Sequence, residues 1–107
     1  GTGEGKAPVG ANVTVVAPQM VLIDVAATLV YAADHDPSVV RGNVEAAIED
    51  TLKNIGIGKS VRYAAIGNAI YDTPGVEDYF DLLVNGGTVN VIIPEDGKAV
   101  KGVISLI

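Results

Sequence analysis

An amphipathic repeat runs through the middle of this chain and needs an apolar surface to pack against. Apolar side chains recur on one side of it at helical spacing: Val40, Val44, Ala47, Ile48, Leu52 and Ile55. The opposite side carries opposite charges four residues apart, as at Glu49 and Lys53. Asp36 can cap the first free N–H groups, Pro37 suits the first helical position, and glycines soon follow residue 55. The pattern predicts a helix over residues 37–55.

A period-two pattern covers residues 20–31 and predicts one long strand. Its inward face takes every second residue: Val21, Ile23, Val25, Ala27, Leu29 and Tyr31. The other face carries both polar and apolar residues, Asp24, Ala26 and Thr28, and is expected to be partly exposed to solvent. A shorter alternation at 12–16 precedes this strand. The chain therefore builds a sheet with one covered face.

Turn-forming residues divide the second half of the chain. A second helix is predicted over 63–71, and it ends at Thr73-Pro74-Gly75, where a type II turn requires positive φ at Gly75. Three strands are expected to follow: 79–84, 89–93 and 99–106. Asn85-Gly86-Gly87 and Asp96-Gly97 lie between these segments and favour consecutive hairpins, because such residues tolerate positive φ.

These elements predict a two-layer α+β fold, with a mostly antiparallel sheet and two helices packed on one of its faces. The residues expected in the core are Val21, Ile23, Val25, Leu29, Val44, Ile48, Leu52, Ile66, Ile70, Leu82, Val91 and Ile104. We expect residues 12–107 to form a single domain, and residues 1–11, rich in glycine, to form a linker or an extended strand that leads into it. The first residue is Gly, which suggests a fragment of a longer protein.

Composition excludes several classes of function. The chain has 107 residues and no cysteine, so disulfide frameworks and thiolate metal sites are excluded. Its net charge of −6 argues against nucleic acid as a partner. Apolar runs such as Met20 to Ile23 are far too short to span a membrane, and the chain shows no basic and apolar start typical of a signal peptide.

No constellation of residues specifies catalysis. Residues 1–6 differ from a phosphate-binding loop in spacing and context. Asp34-His35-Asp36 is interpreted as a capping loop in preference to a cation site. An acidic cluster consists of Asp72, Glu77, Asp78 and Asp81 and is interpreted as a partner-facing surface. We predict no catalytic, cofactor-binding or metal-binding residues, and no cofactor.

Three blocks of sequence, in order, resemble a known family. They are Gly5–Ala11 leading into Val13–Val15, then Thr73–Val76 running on to Asp78 and Tyr79, and finally Leu82, Val84–Thr88 and Asn90. Their order, with a long amphipathic helix between the first two, resembles the C-terminal part of baseplate J-like proteins of contractile-tailed phages and prophage tail elements. The resemblance covers nearly the whole chain, although family members are considerably longer.

The resemblance implies a structural protein of the tail baseplate wedge, and no enzyme. Its partners would be other baseplate or tail proteins and neighbouring copies in the assembled ring, with no nucleic acid or membrane. It would be located in the virion, and in the bacterial cytoplasm during assembly. The fragment alone is expected to be monomeric, since its net charge is −6 and the strand pattern leaves no long apolar stripe uncovered. The alternative is a domain that binds a small ligand or a divalent cation through the acidic cluster.

Overall fold

A computed structural model describes residues 18–107. The elements are β1 (Gln19–Tyr31), α1 (Pro37–Lys53), α2 (Tyr63–Tyr71), β2 (Val76–Val84) and β3 (Gly97–Leu106). The three strands form one sheet in the order β2-β1-β3, and the helices contact each other, β2 and β3. The predicted α+β class is confirmed. The predicted alternation at 12–16 and the glycine-rich segment at 1–11 lie outside the described residues.

The sheet is mixed rather than mostly antiparallel. β2 runs antiparallel to β1, whereas β3 runs parallel to it. The predicted strand at 89–93 is wrong: Val91 forms only an isolated bridge with Val61. The predicted consecutive hairpins are therefore also wrong. The chain crosses from β2 to the far edge of β1, where β3 pairs with the central strand.

The turns at residues 73–76 and 84–87 form as the sequence predicts, whereas neither Asp96 nor Gly97 has positive φ. Asn85 and Gly86 have φ values of 50° and 76°, and the backbones of Val84 and Gly87 hydrogen-bond to each other at 2.9 and 3.1 Å. Gly75 has a φ of 93°, and the Val76 N–H donates to the Thr73 carbonyl at 3.1 Å, which confirms the predicted turn. Turn chemistry is local, so it does not decide which strand the chain pairs with next.

Both helices are confirmed. The Asp36 carboxylate accepts from the Ser38 N–H at 3.0 Å and so caps α1, which ends two residues earlier than predicted. α2 has the predicted bounds. Glu45 and Glu49 of α1 pair with Lys101 of β3, at 3.1 and 3.8 Å. These pairs link the helix layer to the edge of the sheet.

The core lies between the helices and one face of the sheet. Its buried apolar residues are Ile23, Val25, Ala27, Leu29, Val40, Val44, Ile48, Leu52, Val61, Ile66, Ile70, Leu82, Val84, Ile93 and Ala99. Of the predicted core residues, Val21, Val91 and Ile104 are only partly buried and pack against this cluster. Val61 and Ile93 are buried although the predicted core omits them. Val61 lies between the helices, where no period identifies an inward face, and Ile93 lies outside the strands.

Lys98 closes the C-terminal end of α1. Its ammonium donates to the carbonyl oxygens of Leu52, Lys53 and Ile55 at 2.8, 3.3 and 2.6 Å. The last carbonyls of a helix have no partners within the helix and carry its negative dipole end. The Lys98 ammonium of β3 therefore links the C-terminal end of α1 to the sheet.

We expect Lys98→Met to lower the free energy of unfolding by about 1–2 kcal/mol, because methionine keeps the apolar stem and removes the donor. Urea melts of the 107-residue chain measure this loss. Lys59→Met is the matched control, since Lys59 is exposed and makes no side-chain hydrogen bond within residues 18–107. Equal losses in the two variants would contradict the assigned role of Lys98.

Candidate functional site

The structure divides the acidic cluster. Glu77, Asp78 and Asp81 are exposed on β2, an outer strand of the sheet, and are called the acidic edge below. Asp72 is the residue that ends α2, and it lines a groove between the two helices together with Asp50. Three of the four predicted residues therefore share one strand.

Two β-bulges in β2 determine where the side chains of the acidic edge point. Its pairing with β1 shifts opposite Ala27 and again between Val30 and Tyr31, so one extra residue of β2 is inserted at each point. Asp81, at the first, has a φ of 55°, and Glu77 lies at the second. Such bulges twist a strand and re-aim its side chains. Charged side chains and bulges also prevent uncontrolled pairing at a sheet edge.

Nothing in the described part of the chain neutralises the acidic edge. Within residues 18–107, the ion pairs are those of Lys101 with Glu45 and Glu49. These two carboxylates raise the pKa of Lys101, mainly through the hydrogen bond to Glu45. The acidic edge therefore presents negative charge that a basic protein surface could complement.

The Asp34-His35-Asp36 segment is a capping loop, as predicted. Asp36 accepts from the Ser38 hydroxyl at 2.8 Å as well as from the Ser38 N–H. The hydroxyl bond and then the backbone bond lower the pKa of Asp36. Between residues 18 and 107, no three His, Asp or Glu side chains are grouped as metal ligands. No observation there favours the cation-binding alternative.

A carboxyl whose pKa is lowered by folding stabilises the fold above its unfolded pKa of about 3.9 and loses that effect as the pH falls through its folded pKa. We therefore expect Asp36→Ala to be less stable than the unchanged chain at pH 7, and the difference to shrink at pH 3. Urea melts at both pH values measure it. Asp50→Ala, at an exposed helical carboxylate, serves as the control; a gap at Asp36 that persists undiminished at pH 3 would refute the capping role.

The groove between the helices has a volume of about 450 Å³ and is lined by small and polar residues, Ala46 and Ala69 among them. Its Thr51 and Thr73 hydroxyls already donate to the carbonyls of Ala47 and Ala69, at 2.9 and 2.8 Å. These two hydroxyls are therefore already used in hydrogen bonds to helix carbonyls.

The face of the sheet that points away from the helices is uncovered by the described residues, and it is called the open face below. Strand alternation and pairing place these residues on it: Met20, Leu22, Asp24, Ala26, Thr28, Val30, Asp78, Phe80, Leu83, Val100, Val103 and Ser105. Leu22 is 63% exposed, Val103 68% and Phe80, the chain's only phenylalanine, 51%.

The open face corrects the expectation that no apolar stripe is left over. The middle of β1 alone indicates a mixed face, because Asp24 and Thr28 are polar. The signal was present at the ends of the strand, since Met20, Leu22 and Val30 occupy the same alternate positions. An exposed apolar face rimmed by polar residues is typical of a protein interaction surface.

The described helices include none long and apolar enough to cross a membrane.

Comparisons with known proteins identify relatives over most of the chain. A family model described as "Baseplate J-like protein C-terminal domain" matches residues 23–107. "Phage-like element PBSX protein XkdT" of Bacillus subtilis (strain 168) is 29% identical over 96 residues, which cover 89% of this chain and 28% of that protein. "Uncharacterized protein YqbT" of the same organism is 31% identical over 94 residues, covering 87% of this chain and 27% of that protein. The chain thus spans little more than a quarter of these relatives' length.

Proposed function

Because this chain belongs to the family of baseplate J-like protein C-terminal domains, we propose that it is a structural module of a tail baseplate in a phage or a prophage element. The observation that carries the proposal is the family match, which includes both helices, β2, β3 and most of β1. In this proposal the domain belongs to the baseplate wedge and acts through protein contacts, without a catalytic step or a cofactor. It works in the virion, after assembly in the bacterial cytoplasm.

The partners in this proposal are other tail proteins and neighbouring copies in the baseplate ring. The acidic edge, with Asp72 near it in sequence, is the proposed surface for a basic partner. The proposal is supported by the absence of ion pairs to these carboxylates within residues 18–107. Placement by the rest of a longer protein would give the domain a high effective concentration beside its neighbours, so weak contacts would suffice. The isolated chain is proposed to be monomeric, and sedimentation at micromolar concentration tests this.

Charge reversal tests the acidic edge. Glu77→Lys with Asp78→Lys, in the full-length protein, is expected to slow its incorporation into tail particles, because complementary charges speed association. Incorporation is measured by the amount of the protein in purified particles over time. The melting temperature should remain nearly unchanged, because both side chains are exposed.

Glu95→Lys with Asp96→Lys is the matched control, since these carboxylates are exposed before β3 and the change in net charge is the same. Normal incorporation of the control supports an effect of position. Equal slowing in both double variants would show that net charge alone matters and would remove the acidic edge from the proposal. Absence of the unchanged protein from tail particles would overturn the baseplate assignment itself.

A further inference from the structure

The open face carries negative charge and no positive charge in the described residues. Asp24 and Asp78 lie on it. Of the six basic residues of the described chain, Arg41, Lys53, Lys59 and Arg62 lie on the helices or in the loop between them. Lys98 pairs with Met20, but its ammonium donates to the carbonyls at the C-terminal end of α1, and the Lys101 ammonium donates to Glu45 on α1. The face therefore combines apolar side chains with carboxylates that have no cation beside them.

Asp24 is held rigidly at the middle of this face. It lies in the central strand, and its backbone N–H donates to the Asn85 side-chain oxygen at 2.7 Å, while its own carbonyl accepts from the Asn85 N–H at 2.7 Å. One carboxylate oxygen accepts from the Val103 N–H at 2.8 Å, where β3 bulges. The other carboxylate oxygen has no partner within residues 18–107.

A slot opens directly beside this carboxylate. It has a volume of about 180 Å³, and Ala26, Leu83 and Val103 form its apolar walls, with Asp24 and Ser105 also lining it. The volume is several times the roughly 30 Å³ that one water molecule occupies. A long side chain with an apolar stem and a cationic tip matches both the walls and the carboxylate.

We propose that the open face is a docking surface for another protein, whose apolar segment covers Leu22, Phe80 and Val103 and inserts a lysine or arginine side chain into the slot beside Asp24. This docking proposal rests on the proposed function in one respect, because it takes the docking protein to be another component of the tail. The contact would bury a charge pair within apolar surroundings, an arrangement in which losing either charge strongly increases dissociation.

Charge complementarity favours such a partner over a second copy of this chain. Asp24 is the sixth of the 13 residues of the central strand, so it lies near the centre of the face. A twofold pairing of two open faces about an axis near their centres would bring the two Asp24 carboxylates close together and would enclose the two Asp78 carboxylates without a cation. Like charges in a gap with little water repel strongly.

The test uses the full-length protein in cells that produce the tail particle. A photo-reactive amino acid replaces Leu22, and in a second protein it replaces Val39, which is similarly exposed, at 57%, but lies on α1. We expect the probe at residue 22 to cross-link to an apolar peptide of a different protein that contains lysine or arginine. The probe at residue 39 should not label that peptide. Cross-links from residue 22 to a second copy of this chain, or none at all, would overturn the proposal.

Asp24→Asn separates docking from a structural role. Asparagine keeps an oxygen that can accept from the Val103 N–H, so a purely structural Asp24 predicts unchanged cross-linking and an unchanged melting temperature. We expect at least a tenfold loss of the cross-link with an unchanged melting temperature, and no loss with Asp50→Asn on α1. Full cross-linking in Asp24→Asn would overturn the proposal. A basic partner that is not a tail component would instead contradict the proposed function and leave the docking surface standing.

Discussion

Ile48→Ala is expected to lower the free energy of unfolding by about 2–5 kcal/mol. Ile48 is fully buried on α1, in the core between the helix and the sheet. Alanine removes most of the side chain and leaves a cavity. The helix and the sheet on either side can relax into that cavity only in part. Because a domain of this size has a total stability of about 5–15 kcal/mol, this single change removes a large share of it. Urea unfolding followed by circular dichroism measures the loss.

Val39→Ala on the same helix is the matched control. Val39 is exposed, so its truncation costs little burial, and alanine has the higher helix propensity. Its free energy of unfolding should stay within about 0.5 kcal/mol of the unchanged chain. A loss below about 0.5 kcal/mol for Ile48→Ala as well would show that α1 presents a different side to the sheet.

Gly75→Val is expected to cost about 2–5 kcal/mol, more than a strained turn alone. The φ of 93° at Gly75 is one that residues with a Cβ rarely adopt, which costs about 1–2 kcal/mol. A Cβ at this position would also come within 2.5 Å of the Val40 side chain and within 3.2 Å of the His35 ring. Crowding in a packed site typically adds about 1–3 kcal/mol. Chemical denaturation of the purified variant gives the total.

Gly86→Val isolates the backbone contribution. Gly86 also has positive φ, at 76°, but nothing lies within 4 Å of an added Cβ. We expect this variant to lose only about 1–2 kcal/mol. If the two valine variants lose the same amount, then Val40 and His35 do not crowd residue 75, and the description of the turn beside α1 is incorrect.

Much of the candidate site depends on features that extend beyond one element. The acidic edge could be predicted as a group because three of its residues are close together in β2, but Asp72 belongs to the groove between the helices. The open face could not be predicted from one strand, because it needs Phe80 and Leu83 from β2 and Val103 from β3 beside β1. The slot beside Asp24 exists only because the β3 bulge and the Asn85 turn meet there.

The sequence by itself determined the local structure: the bounds of α2, the cap of α1, the inward face of β1 and the positive φ of Gly75. Each of these depends on side chains within a few residues, where helical or strand periodicity and turn sterics act directly. Only the tertiary structure decided that β3 lies parallel to β1 and that residues 89–93 form no strand. Strands pair in the arrangement that buries the apolar faces of distant segments together. The residues of a hairpin turn do not determine that arrangement.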